Sequence, residues 1–538
     1  MVLSKGEYKA PFWGKSHSRT TGLDPLGMLN TSIATYAVLL PGLNNVTTRI
    51  RYYGYYCWLL EIYAHEVRIR DANKFKYFIR CLELLMAFSM GIRYPDAGGI
   101  PGINYVKAHL KDMDLDDDSY ELDLAIGAKL KDNPNPYWKY SSGAFGQYYL
   151  GALQQLGLVA PQGDVEGIYV CTDQGRELAH AFQGSIVQQE SDDTWIILKL
   201  LDVFETGSVS IGDINKIASA LDAFHIRHDS EEFKIYMQLL LGEDTCFSTN
   251  DEFCHFRRDT MVLYLTYLRD YSSSDVPFYK EFPKKMYRVQ SEVAEMISDT
   301  NFGWFYYQLN ELSQYSHGTL LWGILKYLEE TSAPIHLLKL IDSMKEGIMK
   351  ELVTQSGAQI QKLTIQQFLD TLDISDDSIL SSPDEIHRLI KKGDIYPACA
   401  QAFVLQMKLY KKHVYILDDL SKFVSYYEMS RDGDVIDNLQ IISKNLNSKI
   451  SEMIEKILLR SIINRHIYVA FRKFRSSRIN TIKFLYENNT FRHYETIEPV
   501  WTSPRLANLN RYLTDLGFVN PDGSLSATGA HLLETVNS

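Results

Sequence analysis

The chain has 538 residues, a formal charge of −12, and 45% hydrophobic against 23% charged residues. That length exceeds the ~250–300 residues at which a single core stops growing, so three or four domains are expected, and the balance excludes large-scale disorder. The acidic total excludes a surface that coats nucleic acid or anionic lipid throughout, yet permits a local basic site.

Residues 1–137 are expected to form an amino-terminal helical domain. An apolar run at 31–40 is broken by Pro41-Gly42, and 47–66 has the spacing of a long helix carrying Tyr52, Tyr55, Tyr56, Leu59 and Tyr63. Thr47 or Thr48 is placed to cap it, which makes Arg49 and Arg51 beside the exposed amides a candidate anion site. The competing expectation pairs both arginines with carboxylates, such as Glu61 or the Asp cluster at 112–118, and buries the aromatics as core. A helix follows at 74–88, then a Gly/Pro-rich loop at 94–105, and the Asp cluster suits a solvated turn.

Residues 138–190 carry a distinctive order: Leu153, Leu156, Gly157, Leu158 and Val159, then Thr172, Gly175 and Leu178. An apolar helix stops at a glycine, two short strands flank a polar turn at 161–167, and a second helix begins, which is the outline of a winged helix. The central domain, 191–455, shows helical spacing at 195–204, 214–224, 231–241, 261–271, 304–328, 334–352 and 397–422. Residues 370–384, rich in Asp and Ser before Pro383, are the candidate linker.

The last segment, 456–538, begins with a change of sign. Between 456 and 492 there are nine Lys/Arg against the single acidic Glu487, which leaves the rest of the chain near −20. Arg472, Lys473, Arg475 and Arg478 alternate with Phe471, Phe474 and Ile479; with Lys483, Arg505 and Arg511 they form the expected nucleic-acid-binding set, DNA ahead of RNA. A plain solvated helix face is the alternative. The glycine pattern then recurs as Leu513, Leu516, Gly517, Phe518 and Val519, followed by Ser526, Gly529 and Leu532. The expected fold class is therefore mainly α, a multi-domain helical protein with two small winged-helix modules.

Catalytic and metal signatures are sparse. Arg460 and His466 match the loose spacing of helical ribonucleases that set an Arg and a His beside a scissile phosphate, with Ser461 where those enzymes carry Asn, Asp or His. Cys246, Cys254 and His255 lack a fourth ligand at structural-zinc spacing, and no C-x-x-C pair exists among six cysteines. No metal or cofactor is expected, and unpaired thiols fit a reducing cytoplasm. No secretory leader is seen at the amino terminus, and apolar runs fall short of the ~20 residues that span a bilayer, so no membrane role is expected.

The run Pro41-Gly42-x4-Thr47-Thr48-Arg49-x-Arg51-Tyr52-Tyr53, ending in Trp58-Leu59-Leu60, resembles the amino-terminal signature of uncharacterised bacterial families encoded near phage-defence and mobile-element genes. Residues 304–321, opening Trp304-Phe305-Tyr306-Tyr307, are similar to a mid-chain helix of such proteins. The resemblance implies a cytoplasmic defence component acting with partner proteins encoded nearby, and supplies no active-site residues. The expected function is a non-enzymatic recognition or scaffold component that binds nucleic acid and partner proteins. The alternatives are an effector ribonuclease using Arg460 and His466, and a transcriptional regulator.

Overall fold

The computed structural model describes residues 24–537, other than 45, 97, 113–114, 116, 164, 188–192, 243–253, 272–274, 293–298, 428–432 and 478–479. Helices dominate and the strands are short, so the protein is mainly α. The chain forms two compact units, each discontinuous in sequence. Residues 37–282 and 503–538 make one, called here the repeat unit because it holds both copies of the glycine pattern. Residues 1–36 and 283–502 make the other, the cleft unit. The expected 456–538 segment is thus divided at 502/503: its basic window belongs to the cleft unit and its glycine pattern to the repeat unit.

Most expected helices form, including Leu29–Leu39, Ala72–Arg93, Glu231–Leu241 and the 33-residue Asp299–Thr331. Two expectations need correction. Residues 370–384 start helices instead of bridging a gap. Ser375 caps Asp376–Leu380 by accepting from the Ser378 amide at 3.3 Å, and Pro383 sits in the first turn of Ser382–Lys392, where its missing N–H costs nothing. Neither Thr47 nor Thr48 caps a helix: Arg51–Ile62 opens without a side-chain cap, the Thr47 hydroxyl meets the Tyr512 hydroxyl at 2.6 Å, and Thr48 donates to the Gly99 carbonyl.

In the repeat unit the two copies share the same turn and helix-start hydrogen bonds. Each first helix ends in a Schellman turn at a left-handed glycine, Gly157 (φ +68) or Gly517 (φ +75). The Leu158 amide donates to the Leu153 carbonyl at 2.9 Å, and the Phe518 amide to the Leu513 carbonyl at 2.8 Å. A hydroxyl then locks the next helix onto the turn: Thr172 Oγ1 donates to the Gly157 carbonyl and Ser526 Oγ to the Gly517 carbonyl, both at 2.6 Å, while each accepts the amide of Gly175 or Gly529. A Cβ on Gly175 or Gly529 would overlap the carbonyl oxygen of Leu158 or Phe518, which is why both positions are glycine. The hairpins differ in extent. Val159–Pro161 pairs antiparallel with Tyr169–Cys171, whereas the second copy keeps a single Val519 to Leu525 bridge. Leu153, Leu156, Leu513 and Leu516 are all buried.

The signature run threads between these copies. Gly42 donates its amide to Gln155 Oε1 and Asn44 Nδ2 donates to the Tyr148 carbonyl, in or beside the first copy. Asn508 Nδ2 donates to the Asn44 carbonyl and the Tyr512 hydroxyl to the Thr47 carbonyl, from the second. Tyr53 stands edge-on to both Tyr149 and Tyr512. The helix it enters, Arg51–Ile62, is buried on almost every side.

The cleft unit is built around Asp299–Thr331, which is buried along nearly its whole length and carries polar groups that satisfy neighbouring backbone. Asn310 Oδ1 accepts the Val435 amide, Gln314 Nε2 donates to the Val500 carbonyl, and Glu311 Oε2 accepts the Thr502 amide at 2.8 Å. Burial raises the Glu311 carboxyl to about 7, and its Oε1 has no hydrogen-bond partner among the described residues. A three-stranded antiparallel sheet, with Thr490–His493 between Ile335–His336 and Phe484–Glu487, belongs to the same unit.

Candidate functional site

The basic window starts on a helix whose hydrogen-bonding pattern changes twice. Ile450–Lys456 is α-helical, with Glu452 accepting the Lys449 amide at its start, Ile457–Asn464 is π-helical, and Arg465–Ser477 is α-helical again. Apolar Ile457, Leu458, Ile462 and Ile463 hold the π-helical segment to the core. Its wider turn lines up residues four and five apart, so Lys456, Arg460 and Arg465 come to one side.

That side walls a cleft of about 510 Å³. Lys444, Lys456, Arg460 and Arg465 supply four cations to it, and Asp437 is the one carboxylate among the described lining residues. Arg465 is fixed: its Nε donates to the Leu26 carbonyl at 2.6 Å, and its guanidinium lies against Gly433, where a Cβ would displace it. Lys456 is held by Asn445 Oδ1. Lys444 and Arg460 are exposed, and neither forms an ion pair among the described residues. His317 lies at the cleft wall, buried, with Nδ1 2.8 Å from the Ser313 carbonyl. Burial, and next the nearby Arg465 charge acting against the Ser313 contact, pull it down to about 4, so it is a neutral imidazole.

Beyond the π-helical segment, Arg465–Ser477 presents Tyr468 (59% exposed), Phe471 (42%), Arg472 and Arg475 at i, i+3, i+4 and i+7, one face of an α-helix. Arg472 lies 5.7 Å from the Tyr468 ring centroid. Val469 and Ala470 bury the opposite face.

Several residues assigned from sequence fall elsewhere. Lys473 points inward to the Asp24 carbonyl, and burial lowers its pKa. Lys483 is 1% exposed and paired with Glu495 at 2.5 Å, immediately before the hairpin strand Phe484–Glu487. Arg505 belongs to the repeat unit, in left-handed backbone (φ +64), and donates to the Leu40 carbonyl. Arg511 is exposed on Leu506–Asp515, and Arg478 lies outside the described residues, as do Cys246 and the Cys254 side chain.

Arg460 and His466 are not brought together. Arg460 faces the cleft, whereas His466 is fully buried, with Nδ1 on the Pro25 carbonyl (2.9 Å) and Nε2 accepting the Lys483 amide (2.9 Å). Burial lowers it to about 4. A neutral imidazole with both nitrogens occupied cannot trade protons with a phosphate ester at the surface.

Arg51 is likewise unavailable to an anion. All five of its N–H donors are taken: Nε and Nη2 by Glu232, Nη2 also by the Ser185 hydroxyl, and Nη1 by the Asp222 and His225 carbonyls. Arg49 pairs with Asp515 at 2.5 Å and stacks 4.2 Å over Phe224. Burial raises Asp515 to about 6 against the lowering effect of Arg49.

Compared with known proteins, the chain matches no family model, no curated protein and no solved structure.

Geometry adds residues that sequence reasoning missed. In the cleft unit these are His317, Asn438, Lys444 and Asn445. In the repeat unit a second cavity, about 570 Å³, is lined by Arg49, Tyr94, His225, His228 and Asp515. There His225 Nδ1 lies 2.9 Å from Asp222, a buried carboxylate that also accepts the Tyr94 hydroxyl at 2.6 Å. The Asp-x-x-His spacing was visible in the sequence, but its distant partners were not.

Proposed function

We propose that the protein is a non-catalytic recognition component of a bacterial anti-phage defence system, binding nucleic acid through the exposed side of Arg465–Ser477 and partner proteins elsewhere. The observation that carries the reading is the face formed by Tyr468, Phe471, Arg472 and Arg475. Aromatic rings stack on bases of any sequence, and arginines beside them neutralise phosphates, a pairing that suits single strands. The helix, glycine, hairpin and helix order in the repeat unit is consistent with reduced winged-helix modules. They serve here as scaffolding: the first copy buries its apolar helix face, and its Arg176 is spent on Asp173 and the Cys171 carbonyl.

Anisotropy titration of labelled single-stranded DNA, single-stranded RNA and duplex over a salt series tests the reading. The Arg472→Gln, Arg475→Gln variant should bind more weakly on every sequence, with a salt slope flatter by ~0.7–0.9 for each phosphate it no longer neutralises. Affinity and slope equal to wild type in all three would sink it.

A further inference from the structure

The face proposed to bind strands uses Tyr468, Phe471, Arg472 and Arg475, none of which lines the cleft beside the π-helical segment. We propose that this cleft is a binding site for a phosphate ester of a nucleoside, presented as a free nucleotide or as the terminus of a strand.

Three observations converge on that chemistry. Among the described residues the cleft gathers four cations against one carboxylate in a chain whose total charge is −12, so a concave positive site has been concentrated where the average surface is negative. Two of the cations, Lys456 and Arg465, are pre-positioned by Asn445 and by Leu26 with Gly433, while Lys444 and Arg460 project without a carboxylate partner among the described residues. A fixed pair and a free pair can close on an anion from two sides, and guanidinium matches phosphate oxygens in a two-pronged geometry.

The volume, about 510 Å³, falls within the ~300–1,000 Å³ of small-molecule sites, larger than a bare phosphate requires. The remainder is lined by amide side chains, Asn438 and Gln440, with Ile441 and Met28 beside them. Amides offer both donors and acceptors, as the edge of a base demands, and the apolar pair can cover a ring. His317, held neutral by burial, adds an uncharged wall that neither repels the ring nor competes for the phosphate. The π-helical turn supplies the third observation, because such turns recur where side chains must leave the α-helical register to meet at a site.

Calorimetric titration of the full chain with adenosine 5′-monophosphate and with adenosine, and fluorescence titration with a short thymidine oligomer carrying a 5′-phosphate or a 5′-hydroxyl, test the proposal. The monophosphate or the 5′-phosphorylated oligomer should bind, and its phosphate-free counterpart should bind at least ~10-fold more weakly. The Lys444→Gln, Arg460→Gln variant should lose at least ~10-fold in affinity with its melting temperature unchanged, since both side chains are exposed. Asp437→Asn should bind severalfold tighter, a gain that a folding defect cannot imitate. Tighter binding of the monophosphate assigns a free nucleotide as the source, and tighter binding of the 5′-phosphorylated oligomer assigns a strand terminus. Binding of neither, binding indifferent to the phosphate, or wild-type affinity in the Lys444/Arg460 variant would overturn the proposal. The Arg472/Arg475 variant leaves the cleft intact, so loss of strand binding there with monophosphate binding retained separates the two readings.

Discussion

Arg51 in the repeat unit and Arg460 in the cleft unit are the same side chain under opposite conditions. Arg51 is 5% exposed, with a protein acceptor for each of its five donors; Arg460 is exposed and has no ion-pair partner among the described residues. The surroundings account for the difference. Glu232, Ser185 and two carbonyls converge on Arg51 because the element that carries it is buried all round, whereas the π-helical segment buries its apolar side and leaves Arg460 facing a cleft. A charge enclosed in this way serves the fold, and a charge left open can serve a ligand.

Four measurements sharpen or break that contrast. The largest effect should come from Arg51→Met, which strands Glu232 as an unpaired buried charge and should cost ~3–5 kcal/mol in urea unfolding; a loss below ~1 kcal/mol would mean that Arg51 is not enclosed as described. Next is Glu311→Gln. The folded carboxyl titrates at about 7, above its ordinary 4.5, so the folded chain holds the proton more tightly. Its contribution is therefore greatest below pH 4.5 and is lost as pH rises through 7. The variant should match wild type near pH 4.5 and exceed it above pH 7 by up to ~3 kcal/mol, and parallel stability curves would refute the shift.

Gly175→Ala and Gly529→Ala come third. Each should cost ~1–3 kcal/mol by forcing a methyl against a carbonyl oxygen, seen as similar drops in melting temperature. A loss in one copy alone would break the equivalence of the repeats. Smallest is Arg460→Gln, expected within ~0.5 kcal/mol of wild-type stability, since that guanidinium is exposed and forms no ion pair among the described residues.

What the sequence disclosed follows from range. Helices were legible because apolar spacing is local, and the two glycine locks were legible because all their partners lie within about twenty residues. The polar run at 370–384 misled because Ser, Asp and Pro serve helix starts as readily as loops. The basic window misled in a different way. Counting charge cannot tell Arg475, which faces solvent, from Lys483, which is buried and paired with Glu495, nor foresee that Arg505 joins another unit. The cleft was hidden altogether: its lining runs from Met28 to Arg465, and the π-helical turn shifts the register on which helical face-reading depends.

The signature run held between the two repeat copies bears on how the protein is made. Thr47, Arg49 and Ile50 close against Tyr512 and Asp515, partners more than 460 positions later in the chain. On the ribosome, the amino-terminal helices of the repeat unit must wait for all of residues 283–502 to be synthesised before their last packing partners exist. Through that interval Arg49 lacks its carboxylate and the edge of Tyr53 lacks its cover. The repeat unit is thus the last finished, and its closing step is one that a chaperone, a premature stop or a protease can intercept.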